Sequence, residues 1–405
     1  MRGPPLSTHQ STDDTDDADD TDDTIHWTDR DGARRSARWR SESAAPPPAR
    51  IRLADDRMTA DEAYRLACEG TALLWHGDFQ GARQLLGAMA RRVDRGPRRN
   101  RSARPPAASP AEAFHRHRQA QHRRARVLGM LLVPVDADHT IALRRAPDVR
   151  EACAQAYGPP DGHGGPGVVS LREVLGLIGA YEWRRGGVPV PALGGDRVHP
   201  HYGVFSPVRG EYIDLVADAA LPAGTTLAYD VGTGTGVLSV LLARRGVRRV
   251  VATDLDPRAL ACARENAERL RVADRVEVIR ADLFPPGPAQ LIVCNPPWVP
   301  ARPTSPVEHA VYDPDSRMLR GFLDGLAAHL APGGEGWLIL SDLAEHLGLR
   351  TRAELLAAIE GAGLRVVDRT GVKPRHGRAT DPHDPLHEAR AAEVTSLWRL
   401  AAREG

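Results

Sequence analysis

Four stretches of this 405-residue chain end an apolar run on side chains able to do chemistry. Asp230 closes Leu227-Ala228-Tyr229-Asp230-Val231 and is followed by Gly232-Thr233-Gly234-Thr235-Gly236. Asp254 closes the run from Arg249, Asp282 follows Val276-Glu277-Val278-Ile279, and Asn295-Pro296-Pro297-Trp298 follows Leu291-Ile292-Val293-Cys294. Glycines adopt positive φ at little cost and let a ligand approach the main chain. The N–H groups of a following helix start favour an anionic or polar group there. An acid at the carboxyl end of the next strand faces the same crevice and can accept hydrogen bonds from ribose hydroxyls. The Asn295 side-chain oxygen and the Pro296 carbonyl can take both N–H groups of a planar nitrogen, such as a nucleobase amine or a carboxamide. They would favour its tetrahedral geometry and stabilise positive charge developing on it, which is preorganised electrostatics. Trp298 offers a face to stack on the planar group and set its angle, a proximity effect.

These groups need a sheet to hold them. Val237, Leu238, Val240, Leu241 and Leu242 form an apolar helix pattern directly after the glycines. The next helix opens on Asp256 as N-cap and Pro257 at the first helical position. Leu260, Ala263, Ala267 and Leu270 then recur at spacings of three and four, as a helix lying on a sheet requires. A glycine loop alone fits many βα turns, and Gly-x-Gly-x-Gly departs from the dinucleotide fingerprint Gly-x-Gly-x-x-Gly. Asn-Pro-Pro-Trp alone fits a rigid turn leaving a buried strand, because a residue before proline is pushed out of the helical region. Their combination, after two acid-terminated strands, is far more specific.

The region 195–400 resembles class I S-adenosylmethionine-dependent methyltransferases of the group with an (Asn/Asp)-Pro-Pro-aromatic motif. Within that group it is most similar to the small-domain methyltransferases and the HemK-like glutamine methyltransferases. The resemblance implies an α/β fold with a doubly wound sheet of seven strands, the last pair antiparallel. It implies S-adenosyl-L-methionine as cofactor, with Asp230, Gly232, Thr233, Gly234 and Gly236 against its methionine part. Asp254 would hold the ribose hydroxyls and Asp282 the adenine amine, while Asn295 would border both cofactor and acceptor. Asn295, Pro296, Pro297 and Trp298 would form the catalytic turn, with no general base and no metal required. The usual aromatic of the group is Tyr or Phe; Trp298 is larger and lacks a hydroxyl.

The rest of the chain divides by composition. Net charge is +1, and Lys373 is the only lysine among 54 basic residues, so arginine count says little about partners. Cys68, Cys153, Cys262 and Cys294 have no paired spacing, which indicates neither a zinc site nor a disulfide framework and fits a cytoplasmic location. No apolar run approaches the ~18–20 residues of a membrane span, and no membrane partner is expected. Residues 1–50, with an Asp/Thr repeat and Pro46-Pro47-Pro48, read as a disordered tail. Residues 51–195 read as a mainly helical domain, from Ala60, Ala63, Leu66, Ala67, Leu73, Leu74, Trp75, Ala82, Leu85, Leu86 and Met89. Within it, residues 91–126 hold twelve arginines against Asp94 and Glu112, with turn signals at Gly96-Pro97 and Pro105-Pro106. Leu128 to Arg144 reads as a strand pair, Val149 to Tyr157 as a short helix and Ser170 to Arg184 as an amphipathic helix. Residues 196–405 form the methyltransferase-like domain.

Two macromolecular acceptors compete. The basic stretch can neutralise phosphates and favours a nucleobase amine of RNA or DNA. A hairpin near Val188-Pro189-Val190 and Arg197–Pro207 resembles the one preceding the HemK-like catalytic domain and favours a protein glutamine amide. The motifs are also compatible with a small-molecule acceptor, and with a non-catalytic RNA- or cofactor-binding module. Oligomeric state is not encoded in any motif. His199 and His201 read as strand or loop residues, since no acid or cysteine follows at ligand spacing. Beyond Trp298, Pro300 to Asp315 reads as a loop able to cover the acceptor, with Tyr312, Asp313 and Arg317 as polar candidates.

Overall fold

The computed structural model describes residues 23–95, 107–160, 165–303, 306–375 and 381–403. The amino-terminal part contains β1 (Thr24–Thr28), β2 (Arg34–Arg40), β3 (Arg50–Ala54), α1 (Ala60–Cys68), β4 (Thr71–Trp75) and α2 (Phe79–Arg95). It continues with α3 (Pro110–Gly129), β5 (Leu131–Val135), α4 (Arg150–Tyr157), β6 (Gly167–Ser170) and α5 (Leu171–Gly186). Its strands make one six-stranded sheet in the order β1-β2-β6-β5-β4-β3.

This corrects three expectations. Helices hold more of this domain than strands do, as expected, but Leu73-Leu74-Trp75 are not helical: they belong to β4, a buried five-residue strand. A short continuous apolar run has no period that separates strand from helix. Residues 24–40 are not a disordered tail but the edge hairpin, with Ile25, Ala37 and Trp39 turned inward. In β2, Arg38 sits between Ala37 and Trp39 and faces solvent, and Arg34 and Arg35 are exposed at the start of the strand, so the short alternation hides in a polar composition. The expected strand pair over 128–144 is a single strand, because β6 takes the antiparallel edge of β5. The chain after β5 turns instead, with His139 N donating to Asp136 O at 2.9 Å. The Asp/Thr repeat before Asp23 and both Gly-Pro and Pro-Pro turn signals lie outside the described residues.

A two-stranded hairpin, β7 (Val188–Pro189) and β8 (Arg197–Val198), leads into the second domain. There follow α6 (Glu211–Asp218), β9 (Leu227–Val231), α7 (Val237–Arg244), β10 (Arg249–Asp254), α8 (Pro257–Arg269), β11 (Val276–Arg280) and β12 (Ala289–Cys294). The chain ends with α9 (Arg317–His329), β13 (Leu330–Ser341), α10 (Leu343–His346), α11 (Arg352–Gly361), β14 (Leu364–Val372), α12 (His387–Ala392) and β15 (Thr395–Ala402). Strand order is β11-β10-β9-β12-β13-β15-β14. β15 runs antiparallel to both its neighbours and the other neighbouring pairs are parallel.

This topology positions the site. From β9 the chain adds strands outward through β10 and β11, then returns to place β12 on the other side of β9. That reversal is a topological switch point, where open α/β sheets bind ligands beyond the strands' carboxyl ends. Cys294 pairs with Val231, so Asn-Pro-Pro-Trp and the glycine loop leave adjacent strands at nearly the same level. Sequence enforces the arrangement locally. The two faces of this sheet are covered by separate apolar clusters. α8 starts where the Asp256 carboxylate accepts the Arg258 N–H, with Pro257 in the first turn.

Candidate active site

The glycine loop is built by close approach. Gly232, Gly234 and Gly236 have φ of +73°, +52° and +79°. A Cβ on Gly232 would lie 2.4 Å from the Met318 Cε, and one on Gly236 3.1 Å from the Ala263 Cα. Positive φ strains larger residues at both positions; at Gly236 the Ala263 backbone also leaves little room, whereas at Gly232 the near atom is the flexible tip of Met318. The N–H groups of Gly232 and Thr233 each donate to Thr253 O at 2.9 Å, tying the loop to β10.

Asp230 is 1% exposed. One of its oxygens, Oδ2, accepts from Thr233 Oγ1 at 2.7 Å, Ser239 Oγ at 2.6 Å and Ser239 N at 3.1 Å. Burial raises its pKa, against those three donors. It is placed to shape the loop from behind and does not stand at its mouth. Asp254 is the acid nearer solvent: its Oδ2 accepts from Gly234 N at 3.1 Å and its Oδ1 from Asp256 N at 3.0 Å. Burial raises its pKa too. Leu255, between these acids, leaves an apolar side chain 44% exposed. Asp282 is exposed, with the Arg317 guanidinium 3.2 Å away. A loop of three positive-φ glycines, an acid with spare lone pairs and an exposed leucine suit a ligand with a hydroxylated sugar and a flat base.

At the neighbouring strand end, Trp298 Nε1 donates to Asn295 Oδ1 at 2.9 Å. An indole N–H can only donate, so this contact decides which end of the carboxamide is oxygen. Trp298 is half-buried and touches three apolar clusters, so its ring is turned back on Asn295 and not held out as a free platform. Pro296 is buried and Pro297 half-buried. Behind them Cys294 is fully buried, and burial pushes its thiol well above the ordinary range.

The segment after Trp298 folds back on itself. Val299 N donates to Val311 O at 3.2 Å and Asp313 N to Val299 O at 2.9 Å. Asp313, 5% exposed, accepts the N–H groups of Met318 and Leu319, both at 3.1 Å, and so starts α9. The three polar candidates are therefore already engaged: Asp313 with α9, Arg317 with Asp282, and Tyr312 beneath the Arg118 guanidinium of α3, 4.1 Å from its ring centre.

Four arginines of the basic stretch are also engaged. Arg92 pairs with Asp61 at 2.6 Å, Arg124 with Asp94 at 2.9 Å, Arg118 with Glu308 at 2.9 Å, and Arg116 with Glu112. His201 lies 2.6 Å from Glu265 and His199 Nδ1 is 2.6 Å from Arg184 O. Among the described residues no group of three or more His, Cys, Asp or Glu side chains could hold a metal ion. None of their helices is long and apolar enough to cross a membrane. A cavity of about 630 Å³ lies in the other domain, at the carboxyl ends of β3 and β4, lined by Asp56, Trp75, Asp78 and Arg145 among others.

Residues 216–296, from α6 through the glycine loop to Pro296, match the family described as ribosomal protein L11 methyltransferase (PrmA). The carboxyl-terminal domain has a methyltransferase-like α/β fold. It is similar to two curated enzymes that are named as methyltransferases. Ribosomal protein L11 methyltransferase of Pelotomaculum thermopropionicum is 40% identical over 151 residues, 36% of this chain and 40% of the relative. Release factor glutamine methyltransferase of Cereibacter sphaeroides is 35% identical over 161 residues, 36% of this chain and 55% of the relative. The chain thus spans about half the length of the curated relatives it matches. A solved methyltransferase from Thiobacillus denitrificans, in complex with S-adenosyl-L-homocysteine, aligns at TM-score 0.33 and 21% identity, over 49% of this chain and 92% of that one.

Sequence reasoning missed Met318 over the glycine loop, exposed Leu255 and the approach of α3 to the segment after Trp298. Leu255 had a signal, an apolar residue between two acids. The other two depend on contacts between distant parts of the chain.

Proposed function

We propose that the protein transfers a methyl group from S-adenosylmethionine to a planar nitrogen of a protein acceptor, a side-chain carboxamide. The observation that carries this is the Trp298 to Asn295 hydrogen bond at the end of β12, one strand from the glycine loop. Fixed by the indole, Asn295 Oδ1 keeps a second lone pair for an acceptor N–H, and the Pro296 carbonyl is the natural partner for the other. S-adenosylmethionine, when bound, supplies an electrophilic methyl on a sulfonium. Asp254 would accept from its ribose hydroxyls, Asp282 from its adenine amine, and Gly232 to Gly236 would line its methionine part. Asn295 and Pro296 would draw the acceptor nitrogen out of planarity and stabilise the charge it gains. Trp298 contributes mainly by holding Asn295.

Two facts favour protein over nucleic acid. Both curated relatives are named for protein substrates. Four arginines of the basic stretch, the one independent support for a nucleobase amine, are engaged with carboxylates. Incubation with methyl-labelled S-adenosylmethionine and fractionated cell extract tests the proposal. Label should enter protein and survive nuclease; label confined to RNA, DNA or small molecules would overturn it.

A further inference from the structure

Helix α3 belongs to the amino-terminal domain by sequence, yet one of its faces lies against the segment that follows Asn-Pro-Pro-Trp. Phe114, 3% exposed, forms an apolar cluster with Val299, Leu347 and Leu386, and Trp298 packs on its margin. One turn further on, Arg118 spans 190 residues of sequence to meet Glu308 with both terminal nitrogens, at 2.9 and 3.2 Å. The same guanidinium donates to Arg302 O at 2.9 Å and lies over the Tyr312 ring. Its side chain is only 17% exposed. A planar fork meeting a carboxylate edge-on fixes direction as well as distance.

These contacts form a continuous path. Arg118 holds Glu308 and Tyr312; the neighbours of Tyr312, Val311 and Asp313, are hydrogen-bonded to Val299, next to Trp298. Asp313 in turn starts α9, whose Met318 covers Gly232. One side chain of the amino-terminal domain is thus linked to both edges of the crevice.

We propose that Arg118 is a positioning residue for the methyl acceptor, fastening residues 299–302 and 308–316 to α3 so that the amino-terminal domain supplies one wall of the acceptor site. This rests on the transfer reaction proposed above. It accounts for a charged side chain being largely covered at that place, where leaving either partner unpaired is costly. It also assigns acceptor selection to α3 without requiring that helix to bind phosphate.

The test uses the full chain. Arg118→Leu should raise amide hydrogen exchange over residues 299–316 by about tenfold or more, with no change at residues 230–236. Affinity for S-adenosylmethionine by calorimetry should stay within about twofold. Labelling of the protein fraction should fall by about tenfold at limiting extract and recover as extract is raised, a KM effect with kcat retained. The double exchange Arg118→Glu with Glu308→Arg should restore protection and labelling together but only in part, because a carboxylate at 118 can neither donate to Arg302 O nor lie favourably over the Tyr312 ring. If Arg118→Leu fails to fold, Tyr312→Leu, which removes only the stacked ring, should give the same pattern at smaller amplitude. Unchanged exchange over 299–316, or loosened exchange with unchanged labelling, would overturn the proposal. Failure of the wild-type chain to label protein would instead sink the proposed reaction, a result that the exchange of Asn295→Ala, expected to be unaltered over 299–316, keeps separate.

Discussion

The two ends of the crevice are held by different kinds of contact. At the proposed cofactor end the fixing bonds are local: Asp230 to Ser239 spans nine residues and Gly234 to Asp254 spans twenty. At the acceptor end the turn itself is local, but the wall beside it is tied across 184 and 190 residues through Arg118. A locally built site is complete once one βαβ unit has folded. A site with a distant wall is complete only after two domains have packed. Damage to the first should appear as lost cofactor affinity, and damage to the second as lost transfer with affinity retained.

The sharpest way to break this contrast is Asn295→Ala. It should keep S-adenosylmethionine binding and lower kcat by roughly 10²–10³, the scale for removing one preorganised polar group. Near-normal turnover would reduce Asn-Pro-Pro-Trp to a structural turn. Asp254→Ala should do the converse, weakening cofactor binding by about 1–3 kcal/mol while the acceptor KM holds. Calorimetry at equal affinity in a folded variant would remove Asp254 from the site.

A smaller effect is expected from Trp298→Phe. Phenylalanine fills much of the same apolar space but cannot donate to Asn295, so transfer should fall by about 0.5–1.5 kcal/mol, the net worth of one hydrogen bond. Trp298→Ala should cost more; equal losses would mean that the hydrogen bond alone matters, and an unimpaired Trp298→Phe that packing alone does. Acidification provides a further check. Burial raises the Asp254 pKa, so the carboxylate that ribose hydroxyls need is lost at a pH above the usual carboxylate value of about 3.9. Cofactor affinity should decline as pH falls through that raised value, and Asp254→Asn should flatten the decline. The least change is expected from neutralising Arg123 and Arg126: the log–log salt slope of acceptor binding should shift by less than the ~0.7–0.9 of a single phosphate contact.

The same contrast decides what could be read from sequence. β9, β10 and β12 were legible because each is an apolar run closed by a polar residue with a turn signal behind it. β4 was absorbed into a helical pattern because Leu73-Leu74-Trp75 is too short to show a period. β2 was lost because Arg34, Arg35 and Arg38 dominate its composition, while only Ala37 and Trp39 point inward. The bond between Trp298 and Asn295 was within reach, as a donor-only indole three residues from a carboxamide in a proline-stiffened turn needs an acceptor. Arg118 was not, since nothing near it in the chain distinguishes it from eleven other arginines between residues 91 and 126.

The shared apolar seam of Phe114, Val299, Leu347 and Leu386 has a consequence for inheritance. Recombination that joined the methyltransferase domain to a foreign amino-terminal partner would keep the cofactor crevice intact. It would also leave Val299, Leu347 and Leu386 without the cover of Phe114, and Glu308 without the Arg118 guanidinium. Such a hybrid gains no new acceptor unless the incoming helix brings both a ring and a guanidinium to the same places. If α3 positions the acceptor as proposed, changes on α3 should be answered by changes in the segment that Arg118 holds.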